Sequence, residues 1–139
     1  MWSKFEINMV EKITSKDFYR VAKEHEYFIW NFVSKDASPT LQIQSYFSEL
    51  ELHPLKEIID LLKIPYFESE IHDEVDFVIN LEDGYAQKIL SDRGELKPLM
   101  IGFKRTKVVA STFQNICYCQ DGLIEIIAKL NPEFLLNTD

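Results

Sequence analysis

The spacing of apolar residues changes near Pro65, and this change constrains the fold more than any other feature of the sequence. Before Pro65 the apolar residues recur every three or four positions, which predicts an amphipathic helix that begins at Pro54. Its apolar stripe is Leu55, Ile58, Ile59 and Leu62. Beyond Pro65 apolar and polar residues alternate, which predicts a strand with one buried face. The alternating apolar positions are Val75, Phe77, Ile79 and Leu81.

The residues before Pro54 predict further helix. Apolar residues at helical spacing predict one long helix from Thr14 to about Val33, with Thr14 and Asp17 placed as a capping box. Ser38 and Pro39 then form a second helix-start signature. Residues 40–50 fit either a helix or a strand, and we favour a helix.

The C-terminal half predicts a small sheet and two helices. A short helix is expected over residues 85–91, stopped by Gly94. Residues 98–103 and 108–113 read as a hairpin around a Lys-Arg-Thr-Lys loop. The segment Asn-Ile-Cys-Tyr-Cys that follows is a further strand or an extension of the second. A last helix starts at Asp121 and is ended by Pro132.

Together these elements predict one α+β domain over residues 1–139. We expect N-terminal helices followed by a small, mainly antiparallel sheet in the order β-α-β-β-(β)-α, covered by helices on one face. A chain of 139 residues with 46% hydrophobic content is long enough for one core and too short for two.

The formal charge of -8 limits the partners of the chain. Nucleic acids and anionic membranes attract proteins through a positive field, so we expect the chain to bind neither directly. A basic protein is the natural complement. The alternative is that the charge serves only solubility.

The acidic residues concentrate around the alternating segment, which makes it the predicted partner-binding surface. On a strand with a dry inner face, these carboxylates would pair with Arg or Lys of a partner. Two aromatic residues just upstream would anchor the interface, or would simply pack in the core. Protection of an exposed strand from aggregation explains the charges equally well. The predicted surface comprises Glu70, Asp73, Glu74, Asp76, Glu82 and Asp83, with Tyr66 and Phe67 as the aromatic pair.

The sequence contains few signs of catalysis. It lacks HExxH, Walker, GxGxxG and GxSxG patterns, and its four glycines leave little room for a phosphate-binding loop. Cys117 and Cys119 are one residue apart, which on a strand places both thiols on one face and disfavours a disulfide between them. We therefore expect no cofactor, no metal and no enzymatic activity, and a reducing, cytoplasmic location. No export signal or membrane span is expected either.

One short pattern resembles an enzyme family. Glu95-Leu96-Lys97, preceded by Asp76 or Asp83, resembles the acid and Glu-x-Lys of the restriction-endonuclease-like nucleases. The resemblance implies that the carboxylates hold a divalent metal and that the lysine assists the attacking water. Pro98, directly after the triplet, departs from a regular strand at this place.

The function we expect is that of an acidic, cytoplasmic inhibitory protein. Immunity proteins and antitoxins occlude basic partners such as nuclease toxins, and this chain has their physical character. A homo-oligomeric adaptor or secretion-chaperone-like protein, with an exposed apolar surface along Trp30 and Val33, is the first alternative. A divalent-metal-dependent nuclease is the second.

Overall fold

The computed structural model describes residues 10–44, 49–81, 97–114 and 116–138. Within these ranges it is a mixed α+β protein, which confirms the predicted class. In the same ranges no helix is both long and apolar enough to cross a membrane.

The main sheet has five strands in the spatial order β1-β5-β2-β6-β7. Strands β1, β5 and β2 run parallel to one another, and β6 and β7 complete the sheet as an antiparallel pair. The strands are β1 Glu11–Lys12, β2 Tyr27–Val33, β5 Tyr66–Glu70, β6 Leu99–Lys104 and β7 Lys107–Phe113.

A second, smaller sheet has the order β4-β3-β8, in which β3 pairs antiparallel with β4 and parallel with β8. Tyr118 is fully buried and connects this sheet to the core of the main one. The three strands are β3 Thr40–Gln44, β4 Leu50–Pro54 and β8 Tyr118–Cys119.

Helices cover both faces of the main sheet, so the prediction of helices on one face is wrong. Successive side chains of β2 point in opposite directions, with Trp30 in one core and Ile29 in the other. The first core is closed by α1 and α3, and the second by α2, α4 and the small sheet. The helices are α1 Phe18–Glu24, α2 Leu55–Leu62, α3 Val75–Ile79 and α4 Gln120–Leu130.

The long helix predicted from Thr14 to Val33 is correct only in its first half. A 3-10 turn at Ser15–Asp17 leads into α1, and the chain turns extended at His25 before entering β2. Because β2 is central and buried on both faces, its apolar residues run continuously. A continuous run fits helical spacing as well as any other, which is why the pattern misled.

The strand predicted over residues 75–81 is also wrong, because residues 75–79 form the helix α3. The place beside β2 in the sheet is taken by β5, which the sequence analysis did not predict. Hydrogen-bonded turns after Glu70 reverse the chain, since the Asp73 amide donates to the Glu70 carbonyl at 3.1 Å. Asn80 then ends α3 by donating its side-chain amide to the Asp76 carbonyl at 2.7 Å.

Residues 40–44 form β3 and residues 50–54 form β4, so the helix favoured for this region is wrong. Leu41 and Ile43 point to the core while the polar residues between them point outward, which is the alternation of a strand. The predicted helix over 55–62, the hairpin β6-β7 and the last helix are confirmed. The predicted helix over 85–91 lies outside the described residues.

Candidate functional site

An acidic concave surface lies where the three parallel strands end. Lys12, Val33 and Glu70, near or at the carboxyl ends of β1, β2 and β5, line a cleft of about 320 Å³. Ligands of open α/β sheets bind preferentially at this end of the strands. We call this feature the acidic cleft.

Four carboxylates reach the acidic cleft from four places in the chain. Asp17 comes from the 3-10 turn, Asp36 from the loop after β2, Glu70 from the end of β5 and Asp73 from the turn that follows. Lys12 and Lys35 are the lysines among the lining residues, so carboxylates outnumber cations there. The cleft therefore presents a negative field to solvent.

Two of these carboxylates are held by unusual local structure. Asp36 has a left-handed backbone, with φ of 58°, which Asp tolerates better than most residues. The Thr14 amide donates to the Asp17 carboxylate at 2.9 Å, and the Thr14 hydroxyl donates to it at 3.4 Å. The backbone hydrogen bond from Thr14, helped by the Arg20 charge, lowers the pKa of Asp17, so this carboxylate stays ionised in mildly acidic solution.

The structure divides the predicted acidic surface. It brings Glu70 and Asp73 together in the cleft, and it leaves Asp76 exposed in the first turn of α3. Glu74 is buried and accepts a hydrogen bond from the Ser15 amide at 3.1 Å, so it ties α3 to the 3-10 turn. Glu82 and Asp83 lie outside the described residues.

The aromatic pair lies inside the molecule. Tyr66 and Phe67 are buried on opposite faces of β5, Tyr66 in the core with α2 and α4 and Phe67 in the core with α1. Trp30 and Val33 are also buried, in β2, so they form no exposed apolar surface.

A second cleft, of about 430 Å³, lies beside the acidic cleft and shares Lys12 with it. Glu68 is among its lining residues although only 3% of this residue is exposed. Burial raises the pKa of Glu68, while the Tyr66 hydroxyl and the charges of Lys12 and Lys56 act in the opposite direction.

Glu68 ends a chain of buried hydrogen bonds. The Tyr118 hydroxyl donates to Asn31 Oδ1 at 2.6 Å, and Asn31 Nδ2 donates to the Tyr66 hydroxyl at 2.9 Å. The Tyr66 hydroxyl in turn donates to Glu68 Oε2 at 2.6 Å. Burial raises the pKa of both tyrosines, so both remain protonated donors at any physiological pH. The chain links the small sheet, β2 and β5 across one core.

Neither the cysteines nor the described residues of the basic hairpin line the acidic cleft. Cys117 and Cys119 have free thiols, the first half-buried and the second exposed. Among the described residues no three His, Cys, Asp or Glu side chains are placed to share a metal ion. Arg105, at the hairpin tip, donates to the carbonyls of Ala22 and Lys23 at 3.0 and 2.9 Å, which caps the end of α1. Glu95 and Asp83 of the nuclease-like pattern lie outside the described residues.

Sequence reasoning missed half of the acidic cleft. It treated Asp17 only as a capping residue and gave Asp36 no role, because neither lies near the other carboxylates in sequence. Recognising Tyr66–Glu70 as a strand parallel to β2 would have located Asp36, because the loops that follow two parallel neighbours lie at the same end of the sheet.

No protein-family model matches the chain. No curated protein matches it either.

The fold does resemble solved structures. A structure described as having a thioredoxin fold is 12% identical, covers 84% of this chain and 92% of its own, and superposes with a TM-score of 0.51. Chlamydomonas reinhardtii thioredoxin f2, at 11% identity, covers 89% of this chain and 98% of its own with a TM-score of 0.48. Plasmodium falciparum thioredoxin, at 12% identity, covers 86% and 98% with a TM-score of 0.45. At 12% identity the likeness to the first of these structures concerns the fold alone: the chain has a thioredoxin-like fold.

Proposed function

We propose that this chain is a non-catalytic binding protein on a thioredoxin-like fold, which holds a basic segment of another protein in the acidic cleft. Its biological role on this proposal is inhibition by occlusion, as immunity proteins and antitoxins inhibit nuclease toxins. The observation that carries the proposal is the convergence of Asp17, Asp36, Glu70 and Asp73 on one cleft from separate chain segments.

Electrostatics supports a basic partner over other ligands. Carboxylates grouped in a concave surface steer a cationic protein into place and form charge-assisted hydrogen bonds with Arg and Lys. The overall charge of -8 extends the same field beyond the cleft. Asp76, exposed in α3 close after the cleft residues, enlarges the negative surface.

Thiol chemistry is not part of the proposal, although thioredoxin-like folds often carry it. Dithiol redox sites of that kind use a Cys-x-x-Cys motif, whereas the two cysteines of this sequence are Cys117 and Cys119. Their free thiols suit a reducing compartment, and we place the protein in the cytoplasm.

The proposal is tested by capture from a lysate of the source cell, with tagged protein and identification of the bound chains by mass spectrometry. The test variant is Asp36→Asn, Glu70→Gln, Asp73→Asn, which removes charge while leaving the capping residue Asp17 in place. The control variant is Asp121→Asn, Glu125→Gln, Glu133→Gln, which removes the same charge from exposed positions in α4 and the 3-10 turn after it.

We expect the wild-type and control proteins to retain one basic polypeptide at low salt. The test variant should bind it at least about tenfold more weakly, because close charge pairs at interfaces are each worth more than about 1 kcal/mol. Equal capture by the test and control variants would show that the acidic cleft is not the binding surface.

A further inference from the structure

In the described part of the chain, one edge of the small sheet is free, and it carries two exposed leucines. Leu50 and Leu52, both in β4, are 65% and 61% exposed. In the described part of the chain β4 pairs with β3 on one side and with no strand on the other. An apolar strand with an open edge is a template for pairing with another strand.

The main-chain groups at this edge are positioned for pairing. The Leu55 amide donates to the Pro39 carbonyl at 3.0 Å, on the β3 side. Because main-chain groups alternate in direction along an antiparallel strand, those of Leu50 and Leu52 point to the free edge. Pro54 is two residues after Leu52, so its main-chain groups point to the same free edge. Its missing N–H therefore removes no hydrogen bond from the β3-β4 pair.

The outward-facing residues that the structure describes on the small sheet are also uncharged. Leu41 points inward, so Gln42, the next residue of β3, points outward. Residues paired with Gln42 share its face, which places Leu52 of β4 and Cys119 of β8 outward as well. These outward residues are Thr40, Gln42, Gln44, Leu50, Leu52, Pro54 and Cys119. A second copy of the chain carries the same charge of -8, so the charged surfaces of two copies repel each other and an uncharged face is where they can meet. A basic partner would instead favour an acidic surface.

We propose that two copies of this chain associate through β4, with the strands antiparallel and Leu52 directly opposite Leu52 of the second copy. The two Leu52 residues then exchange main-chain hydrogen bonds, and each Leu50 N–H reaches the Pro54 carbonyl of the other copy. The interface is symmetric, as a twofold axis requires, and joins the two small sheets into one.

The pairing of Glu51 with His53 favours this register. Within β4, Glu51 Oε2 and His53 Nε2 lie 3.2 Å apart, and both side chains are well exposed. In the proposed register each Glu51 faces His53 of the second copy, so a carboxylate acceptor lies opposite an imidazole. The adjacent registers would place Glu51 opposite Glu51, or His53 opposite His53.

This inference goes beyond the proposed function and does not depend on it. No residue of β4 lines the acidic cleft, so the dimer leaves that cleft open. Either proposal can fail while the other holds.

The test is the mass of the whole protein in solution, measured by light scattering after size-exclusion chromatography. The protomer mass is 16.4 kDa, and we expect the wild-type protein to elute at twice this mass. Leu52→Lys should give the protomer mass, because it places two lysines against each other on the twofold axis. The matched control is Leu61→Lys, since Leu61 is 60% exposed on α2, and this variant should stay dimeric.

A pair of charge variants tests the register, and circular dichroism confirms that each variant is folded. His53→Glu should weaken the dimer at least about tenfold, because it places two carboxylates opposite each other. Glu51→Lys should weaken it as well, because His53 of the second copy loses the carboxylate that faces it. The double variant should restore dimerisation, because opposite charges face each other. If the wild-type protein has the protomer mass even at high concentration, the proposal is overturned. Binding of a peptide strand from another protein to β4 would not rescue it. A dimer that survives Leu52→Lys would overturn it as well.

Discussion

Asn31 is the residue on which the buried polar groups of the core depend. It accepts a hydrogen bond from the Tyr118 hydroxyl and donates one to the Tyr66 hydroxyl, and all three side chains are buried. A polar group buried without a partner costs far more than a satisfied one contributes, so these residues act as a unit.

We predict that Asn31→Leu lowers the free energy of unfolding by about 1–3 kcal/mol, because it leaves the Tyr118 hydroxyl without its acceptor. Tyr118→Phe removes the same donor and should be destabilising alone. The double variant should cost less than the sum of the two, since the second change removes the orphaned group. Urea denaturation of the four proteins measures this coupling, and strict additivity would contradict it.

Glu68 makes the stability of the protein depend on pH. Burial raises its pKa above the ordinary value of 4.5, so the folded state prefers the neutral acid. The contribution of the neutral Glu68 to the free energy of unfolding is fully present below pH 4.5, and it is lost as the pH rises through the folded-state pKa.

We therefore predict that Glu68→Gln, which keeps an acceptor for the Tyr66 hydroxyl, gains stability relative to the wild type as the pH rises. The difference in unfolding free energy should be small at pH 4 and larger at pH 7, as measured by urea denaturation across this range. Glu57→Gln, at an exposed position of α2, serves as the control and should show no such trend. A constant difference for Glu68→Gln would contradict the assignment.

At the residue scale, the sequence could reveal only part of the acidic cleft. Glu70 and Asp73 were predicted because they stand in a run of acids, whereas Asp17 and Asp36 contribute through tertiary structure that no local pattern contains. Glu74 was assigned to the surface for the same local reason. Its burial follows from a contact with Ser15, far away in sequence.

Among the secondary-structure elements, β6 and α4 pack closely against each other at Gly102. A Cβ added to Gly102 would lie 2.8 Å from Ile126 Cγ2 and 3.2 Å from Leu130 Cγ. Ile126 is buried and branched next to its backbone, so its methyl group has little freedom to move aside.

We predict that Gly102→Ala lowers the free energy of unfolding by about 1–3 kcal/mol, the usual cost of overpacking a core. Ile126→Val in the same chain is not expected to relieve the clash, because valine keeps both γ carbons. Ile126→Ala removes Cγ2, so Gly102→Ala should be nearly neutral in that background. Thermal unfolding of the wild type, the three single variants and the two double variants tests this. A Gly102→Ala protein as stable as the wild type would contradict the close packing.

The two long helices that the sequence predicted correctly each have one buried face. The apolar stripe of α2 faces the second core and the stripe of α4 faces the same core, so periodicity located both helices. The strand β2 is buried on both faces and has no period to detect. In α3 a single helical turn of five residues is too short for helical spacing to outweigh an alternating pattern.

At the scale of the whole molecule, the two proposed binding surfaces differ in their electrostatics. The acidic cleft lies at the carboxyl ends of the parallel strands, and the neutral face lies on the small sheet. Binding at the cleft should weaken as salt is added, because salt screens exposed charges beyond about 10 Å at 0.1 M. Association through β4 should be much less sensitive to salt, because its centre is Leu52 against Leu52 and main-chain hydrogen bonds.

The central claim is that the acidic cleft binds basic protein segments, and one measurement tests it most directly. A short peptide rich in Arg and Lys is titrated into isotopically labelled protein, and the backbone amide signals are followed by NMR. We predict shifts concentrated at Thr14, Asp17, Asp36, Glu70 and Asp73, which disappear when the salt concentration is raised. Shifts that avoid these residues, or that spread evenly over the exposed acids of α4 and the rest of the surface, would contradict the account.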